Sequence, residues 1–441
     1  MMEERLASVM GRTSMIHQNT IIKCICAGAV TVAAVVGLSG LATGKPVWYH
    51  LQNRGALGPL TRENIKYLDV EAPEAASPDG VISQQEWAAV YPEIAVTMGE
   101  MDQNSYQVDY LEESPYLVNI YEGYGFAKDY MSAIGHSYTL RDVAATERPH
   151  PMANCLTCKT PNFTKLVNDI GEEAYMMDFE EVAPQMHETV SCYNCHGNNA
   201  GNAGELVVTH QYLADALGDN ISKVDPAVLS CGQCHMEYYF DPENKAARFV
   251  PSSVEEMSPE AMLEKYNAMD FADWTQESTG TKMLKAQHPE METFLQGKHA
   301  GLLNCADCHM ELIQTEEGKV YHSHNFVSPL DSPAILENCA QCHEGVDMVS
   351  MVKGIQDRTT ARETEVGNKL SAFKDALADA VAGGNYTEEQ LDAVRQIHRE
   401  AQWYFDYCYV ENSEGAHNSE LANRCLDTAD AMIDEGMALL A

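Results

Sequence analysis

Basic residues are scarce in this chain. Of 441 residues, 28 are Lys or Arg against 66 Asp and Glu, a formal net charge of −38. So acidic a surface excludes general nucleic-acid binding, which draws its affinity from Lys and Arg displacing counterions. It does not exclude a small anion, which responds to local charge. The alternating pattern of strands is weak, so a mainly α chain is expected. Apolar residues are not lacking: the 45% hydrophobic content excludes a disordered or collagen-like chain. The length suits one large unit or two to three ordinary ones. What is present in unusual number is cysteine. Fourteen cysteines, unevenly placed, do not describe a plain disulfide scaffold.

The run from Cys24 to Gly44 carries no charged residue, and Arg5, Arg12 and Lys23 precede it. A positive segment followed by a small apolar run marks an export signal. At roughly 20 residues such a run also reaches the length of a membrane span. Residues 1–44 are therefore read as a cleaved signal peptide or an uncleaved anchor. Either places the rest of the chain outside the cytoplasmic membrane, in the periplasm or on the membrane's outer face.

Ten cysteines fall in five C-x-x-C pairs. Four continue into histidine: Cys192 and Cys195 before His196, Cys231 and Cys234 before His235, Cys305 and Cys308 before His309, Cys339 and Cys342 before His343. Cysteines three apart on one helical turn each bond one vinyl group of a haem, and the next residue lies under the iron as an axial ligand. Zinc also uses C-x-x-C pairs, but not with a histidine following four times over. The fifth pair, Cys155 and Cys158, precedes Lys159. A lysine amine binds iron only where the site strips its proton, and then as an electron-donating ligand. Beyond the four motif histidines twelve more remain. Counting does not separate four distal ligands from five, nor say which iron stays open to a substrate.

The C-terminal quarter reads differently. Val366, Leu370, Phe373, Leu377 and Val381 form a helical apolar stripe, broken at Gly383-Gly384-Asn385. Thr387 with Gln390 forms a capping box, and Leu391, Val394, Ile397, Ala401 and Tyr404 begin a second stripe. These stripes build either an intramolecular hairpin or a homodimer. Cys408 and Cys425 match no haem motif and are open to a disulfide in an oxidising compartment.

One C-x-x-C-K site followed by four C-x-x-C-H sites resembles the pentahaem cytochrome c nitrite reductase family, the ammonia-forming enzymes. The blocks Cys231-Gly-Gln-Cys234-His235-Met-Glu237-Tyr238-Tyr239-Phe240 and Lys285-Ala-Gln287-His288-Pro289 match the family, as do Gly135-His136-Ser-Tyr and Arg148. So do Gln296-Gly-Lys-His299, Tyr321-His-Ser-His324 and Glu411-Asn-Ser-Glu-Gly-Ala-His417, all in family order from about residue 60 onward. The resemblance implies a mainly α multihaem cytochrome c, with short helices and long loops around five covalent haems and long C-terminal helices after them. The parts are 45–135, a loop-rich lead-in; 136–345, the pentahaem core; and 346–441, a helical region forming a homodimer interface.

By the same resemblance the haem on Cys155, Cys158 and Lys159 is the active site, with Arg148, Tyr238 and His288 on its open side. His136 is the distal partner of His235, His324 of His196, His417 of His309 and His299 of His343. His324 is preferred to its neighbour His322. One calcium ion is implied at Glu237, Tyr238, Lys285 and Gln287, whose hard oxygens suit it. The implied reaction is six-electron reduction of nitrite to ammonium in anaerobic respiration, with a membrane-bound multihaem quinol dehydrogenase as donor. Arg148 would hold the anion, His288 would give protons near neutral pH, and Tyr238 would donate a hydrogen bond. The stretch from Arg148 to Cys155 is shorter than in many members and is expected to alter pocket access. The competing readings are an electron carrier with no substrate of its own, and a reductase acting mainly on hydroxylamine or sulfite.

Overall fold

The computed structural model describes residues 66–67, 70–103, 106–149, 151–200, 206–315 and 318–441. The run Cys24–Gly44, with both readings of it, lies outside them. The helices that shape the molecule are α1 (Tyr116–Ile120), α2 (Pro161–Ile170), α3 (Cys192–His196), α4 (Pro226–Gly232), α5 (Glu290–Leu295), α6 (Cys305–His309), α7 (Pro333–Ala340), α8 (Met348–Gly383), α9 (Glu388–Tyr409) and α10 (Ser419–Leu439). Strands are few and short. β1 (Lys66–Tyr67) runs parallel to β7 (Lys319–His322), and β6 (Leu312–Gln314) runs antiparallel to β7 with Ile313 opposite Tyr321. β2 (Tyr239–Phe240) pairs with β3 (Ala247–Arg248), and β4 (Trp274–Thr275) with β5 (Lys282–Met283). The mainly α class expected from the sequence is the one observed: short helices and loops first, long helices last.

The long helices form where the stripes place them. Val366, Leu370, Phe373 and Leu377 are all fully buried on α8. The helix stops at Gly383 because Gly384 takes a left-handed conformation at φ 64°, which costs glycine no Cβ clash. Thr387 caps α9 through Gln390 as its capping box requires. A third helix, α10, is not legible in the stripes. It packs against both α8 and α9, so these helices associate within one chain. The bundle also covers α1 and an aromatic group of Tyr116, Tyr121, Tyr266, Phe271 and Trp403. A second core, with Leu156, Phe163, Phe179, Leu213, Leu229, Met236 and Met291, lies among the motif helices. From Lys66 to Ala441 the chain is one unit. Among the described residues no helix is long and apolar enough to cross a membrane.

One expectation is corrected here. Cys408 and Cys425 are buried free thiols, with no disulfide between them. The Cys408 thiol instead donates to Glu363 Oε1 at 3.3 Å.

Candidate active site

Two cysteine motifs, Cys192–His196 and Cys305–His309, are each a single turn of helix capped just before it, while those of Cys231 and Cys339 begin in the last turn of a longer helix. Before α6, Asn304 Oδ1 accepts from the Asp307 N–H at 3.3 Å while Asp307 Oδ2 accepts from the Asn304 N–H at 2.8 Å. Before α3, Asn194 reaches back to the Ser191 N–H at 3.1 Å, and Ser332 Oγ caps α7 at the Ile335 N–H. The His235 and His343 N–H groups return to the carbonyls of Cys231 and Cys339 at 3.1 and 3.0 Å. In α3 and α6 a cap just before the motif thus puts both cysteines and the fifth residue on one side of a turn.

Histidines distant in sequence then meet. The ring centroids of His136 and His235 lie 6.3 Å apart, those of His299 and His343 6.2 Å, and those of His309 and His417 6.1 Å. An imidazole nitrogen binds a metal at about 2 Å and the ring centre lies about 1 Å further, so two imidazoles across one ion stand about 6 Å apart, centre to centre. These three pairs fit an iron between them. His324 lies near His196: burial and then His196 push its pKa down to about 3. Burial and then Lys159 bring His136 to about 4, and burial and then His136 bring His235 to about 3. Such imidazoles are neutral at neutral pH, the form that binds a metal.

Three of these rings are tethered through Nδ1. His309 Nδ1 meets the Val327 carbonyl at 3.1 Å, and His324 Nδ1 the His322 carbonyl at 2.8 Å. His417 Nδ1 meets a carboxylate, Glu411 Oε1, at 2.6 Å. Burial would lower His417, but Glu411 more than offsets it and holds the pKa above the ordinary value. His322 is tied to the Met310 carbonyl at 3.0 Å.

The motifs touch one another in a definite order. The Cys158 and Cys234 sulfurs lie within 4.8 Å of each other, and the Cys231 and Cys305 thiols are neighbours. Cys195 lies beside Cys231, and Cys308 beside Cys339. Among the described residues the group Cys158, His210 and Cys234 brings three metal-binding atoms within 4.8 Å. It joins cysteines of two different motifs, so it marks their closeness; sulfurs engaged as thioethers would leave it no thiolate.

Around Lys159 the pocket residues gather. Thr139 Oγ1 donates to the Lys159 carbonyl at 2.7 Å and lies 3.1 Å from the His136 carbonyl, so one hydroxyl ties both segments. Gly135, at φ 139°, allows the turn that begins at His136. Arg148 Nε donates to Thr146 Oγ1 at 3.0 Å, and its guanidinium sits 4.4 Å over the Phe126 ring. Cys155 feels Arg148 and Lys159, and Tyr238 feels Cys158, Cys155 and Arg148. Burial raises the Tyr238 phenol, so it keeps its proton. His288 is half-buried, with 45% of its side chain uncovered and its Nδ1 enclosed. Burial, then Lys159, His235, Lys285 and Arg148, hold its pKa well below 6.5. The sequence suggests a proton donor near neutral pH; burial above all disfavours the charged imidazole of His288, so its protonation calls for a compensating negative charge.

Behind the pocket lies a buried carboxylate. Glu237 Oε1 accepts from Tyr266 Oη at 2.9 Å and Oε2 from the Gln287 N–H at 2.5 Å. Gln287 Nε2 donates to the Lys285 carbonyl at 3.0 Å. Glu237, Lys285 and Gln287 are therefore joined, with Tyr238 next in the chain. Burial pushes Glu237 up to about 8 and nearby Asp273 to about 7, as expected for carboxyls lacking full cationic compensation. The Lys285 ammonium points elsewhere, to the Ala286 carbonyl at 2.7 Å and over Phe126 at 5.0 Å. A hard cation fits such a carboxyl and its neighbouring carbonyls. The sequence reading passed over Thr139, Asp273 and Glu411. Of these only Glu411 carried a signal, its place at the head of the block ending in His417.

One-turn motifs carrying cysteine pairs, with histidines facing each other at the span of one metal ion, define a multihaem c-type cytochrome. The family model of cytochrome c552 matches residues 83–441, and the chain belongs to that family. The structure is similar to NrfA, the catalytic subunit of the cytochrome c nitrite reductase of Desulfovibrio desulfuricans, which has two calcium sites. The match has a TM-score of 0.72 at 26% identity and covers 81% of this chain and 86% of that one. The outer cell wall cytochrome OcwA aligns at a TM-score of 0.39 and 19% identity, over 68% of this chain and 48% of that one.

Proposed function

We propose that this protein reduces nitrite to ammonium in the pocket formed by Lys159, Arg148, Tyr238 and His288. The observation that carries the reading is the convergence of Arg148, Tyr238 and His288, from separate segments, on the one cysteine motif that ends in lysine, that of Lys159. The balance is one nitrite, eight protons and six electrons giving one ammonium and two waters. Cys155, Cys158 and Lys159 would hold the haem whose iron binds nitrogen and changes oxidation state.

The chain's own groups supply the rest. Arg148 is permanently charged, is braced by Thr146 and Phe126, and presents a fork of donors to the nitrite oxygens. That local charge attracts an anion to a molecule whose net charge is −38. Tyr238 keeps its phenol proton and donates it as a hydrogen bond. His288, neutral when the pocket holds only its cations, gains basicity when an anion enters. It then takes up a proton and passes it on.

Four further haems would lie on the remaining motifs, between His196 and His324, His235 and His136, His309 and His417, and His343 and His299. The closeness of the motifs supports an electron route from the Cys339 and Cys342 motif to that of Cys305 and Cys308, then to that of Cys231 and Cys234, and on to Lys159. The Cys192 and Cys195 motif branches from the third of these. A calcium ion at Glu237, the Tyr238 and Lys285 carbonyls and Gln287 would fix the pocket from behind. The protein is proposed to act outside the cytoplasmic membrane as a homodimer through its C-terminal helices, taking electrons from a membrane-bound multihaem quinol dehydrogenase. Light scattering would return twice the monomer mass; a monomer at micromolar concentration would refute the dimer.

The test supplies reduced viologen and nitrite to the purified protein and counts ammonium against electrons consumed. About six electrons per ammonium is expected from the oxidation-state change. Haem reduction without loss of nitrite would overturn the proposal and leave an electron carrier.

A further inference from the structure

We propose that Glu411 is a positioning residue that holds the reduction potential of a single haem, the one on Cys305 and Cys308, below those of its neighbours. The inference rests on the reading that His417 and His309 face each other across that haem's iron.

Glu411 is 5% exposed, and its Oε1 lies 2.6 Å from His417 Nδ1. A carboxylate only accepts, so the proton of this bond sits on Nδ1 and the Nε2 lone pair is free for a metal. The other oxygen, Oε2, accepts from Ser413 Oγ at 2.5 Å, and that hydroxyl accepts from the His417 backbone N–H at 2.9 Å. Carboxylate and imidazole are thus locked at the two ends of one short loop. The loop closes through Gly415, at φ 84°, packed so tightly that a Cβ there would sit 2.6 Å from Thr359 Oγ1.

The other tethered ligands differ. His309 and His324 donate to neutral backbone carbonyls. His235 Nδ1 is 3.8 Å from Glu290 Oε2, beyond hydrogen-bond reach. A charged acceptor draws the Nδ1 proton toward itself and makes the ring a stronger electron donor, which favours ferric over ferrous iron. Burial keeps the charge unscreened. The couple is a plain one-electron exchange. Its place, between the motif of Cys339 and that of Cys231, would keep an electron from resting midway.

The experiment is a spectroelectrochemical titration of the full-length, five-haem protein against Glu411→Gln and Glu411→Asp. In Glu411→Gln one couple rises by about tenfold in its equilibrium constant, 59 mV for one electron, while the others stay. The low-spin resonance of that haem changes with it. Glu411→Asp, which keeps the carboxylate, moves the same couple less. A couple unmoved in both variants, or all five moving together, would overturn the proposal. If Glu411→Gln does not load five haems, Glu411→Asp decides alone: one shifted couple supports the role and none refutes it. His417→Ala separates the underlying reading, since a haem still six-coordinate in that variant means that His417 is not its ligand.

Discussion

The imidazole of His136 faces that of His235 with their centres 6.3 Å apart and their planes inclined by 58°. A metal ion held between them, as proposed, would account for that separation. Replacing His136 by Ala would then leave one iron five-coordinate. The expected result is five haems still attached by mass, with one low-spin signal replaced by a high-spin one in the ferric spectrum. An unchanged spectrum would separate His136 from the iron.

In the proposed reaction Arg148 and His288 act on different parts. Arg148→Ala removes the fork that holds the anion and its developing charge, and is expected to lower kcat/KM for nitrite by about 10² to 10³. Much of that loss should appear in KM. His288→Ala removes a proton relay and is expected to lower kcat by about 10² to 10⁴. Steady-state kinetics with haem content fixed checks both, and full turnover in either variant would remove that residue from the mechanism.

His398, buried on α9 between Phe373 and Thr281, ties stability to acid. Burial, and then the Lys374 ammonium, push its pKa from 6.5 down to about 3. The unfolded chain binds this proton between those values and the folded chain does not. This contribution to stability is therefore complete above pH 6.5 and shrinks as the pH falls toward 3. In His398→Phe, Tm should fall less steeply from pH 7 to pH 4 than in the native protein. Equal slopes would assign the acid loss to other groups.

Close packing in the helical bundle gives a sharper stability test. A Cβ at Gly436 of α10 would lie 2.1 Å from Phe373 Cζ, and one at Gly367 of α8 would lie 2.4 Å from Tyr116 Cε2. Alanine at either position forces buried rings to move, at about 1 to 3 kcal/mol. Gly99→Ala, with nothing within 4 Å, is expected to stay within about 0.5 kcal/mol. Denaturant midpoints compare the three, and a stable Gly436→Ala would show that α8 and α10 can separate slightly without loss.

The sequence by itself determined whatever depends on one turn of chain. The five cysteine motifs are visible because attachment needs residues three and four apart, and for Cys192 and Cys305 the cap lies immediately before the motif. The stripe Val366, Leu370, Phe373 and Leu377 and the capping box Thr387 with Gln390 are equally local, and both are present as read. The pairing of distant histidines and the choice of pocket residues came from family resemblance, since nothing in the spacing of His136 and His235 says that they meet. Only the tertiary structure decided what depends on segments far apart: that Thr139 ties Lys159 to His136, that Phe126 braces Arg148, that burial and then nearby charges lower the pKa of His288, and that Cys408 bonds to Glu363 rather than to Cys425. Charge and hydrogen bonding in a folded interior are set by neighbours in space, and the order of residues along a chain does not list them.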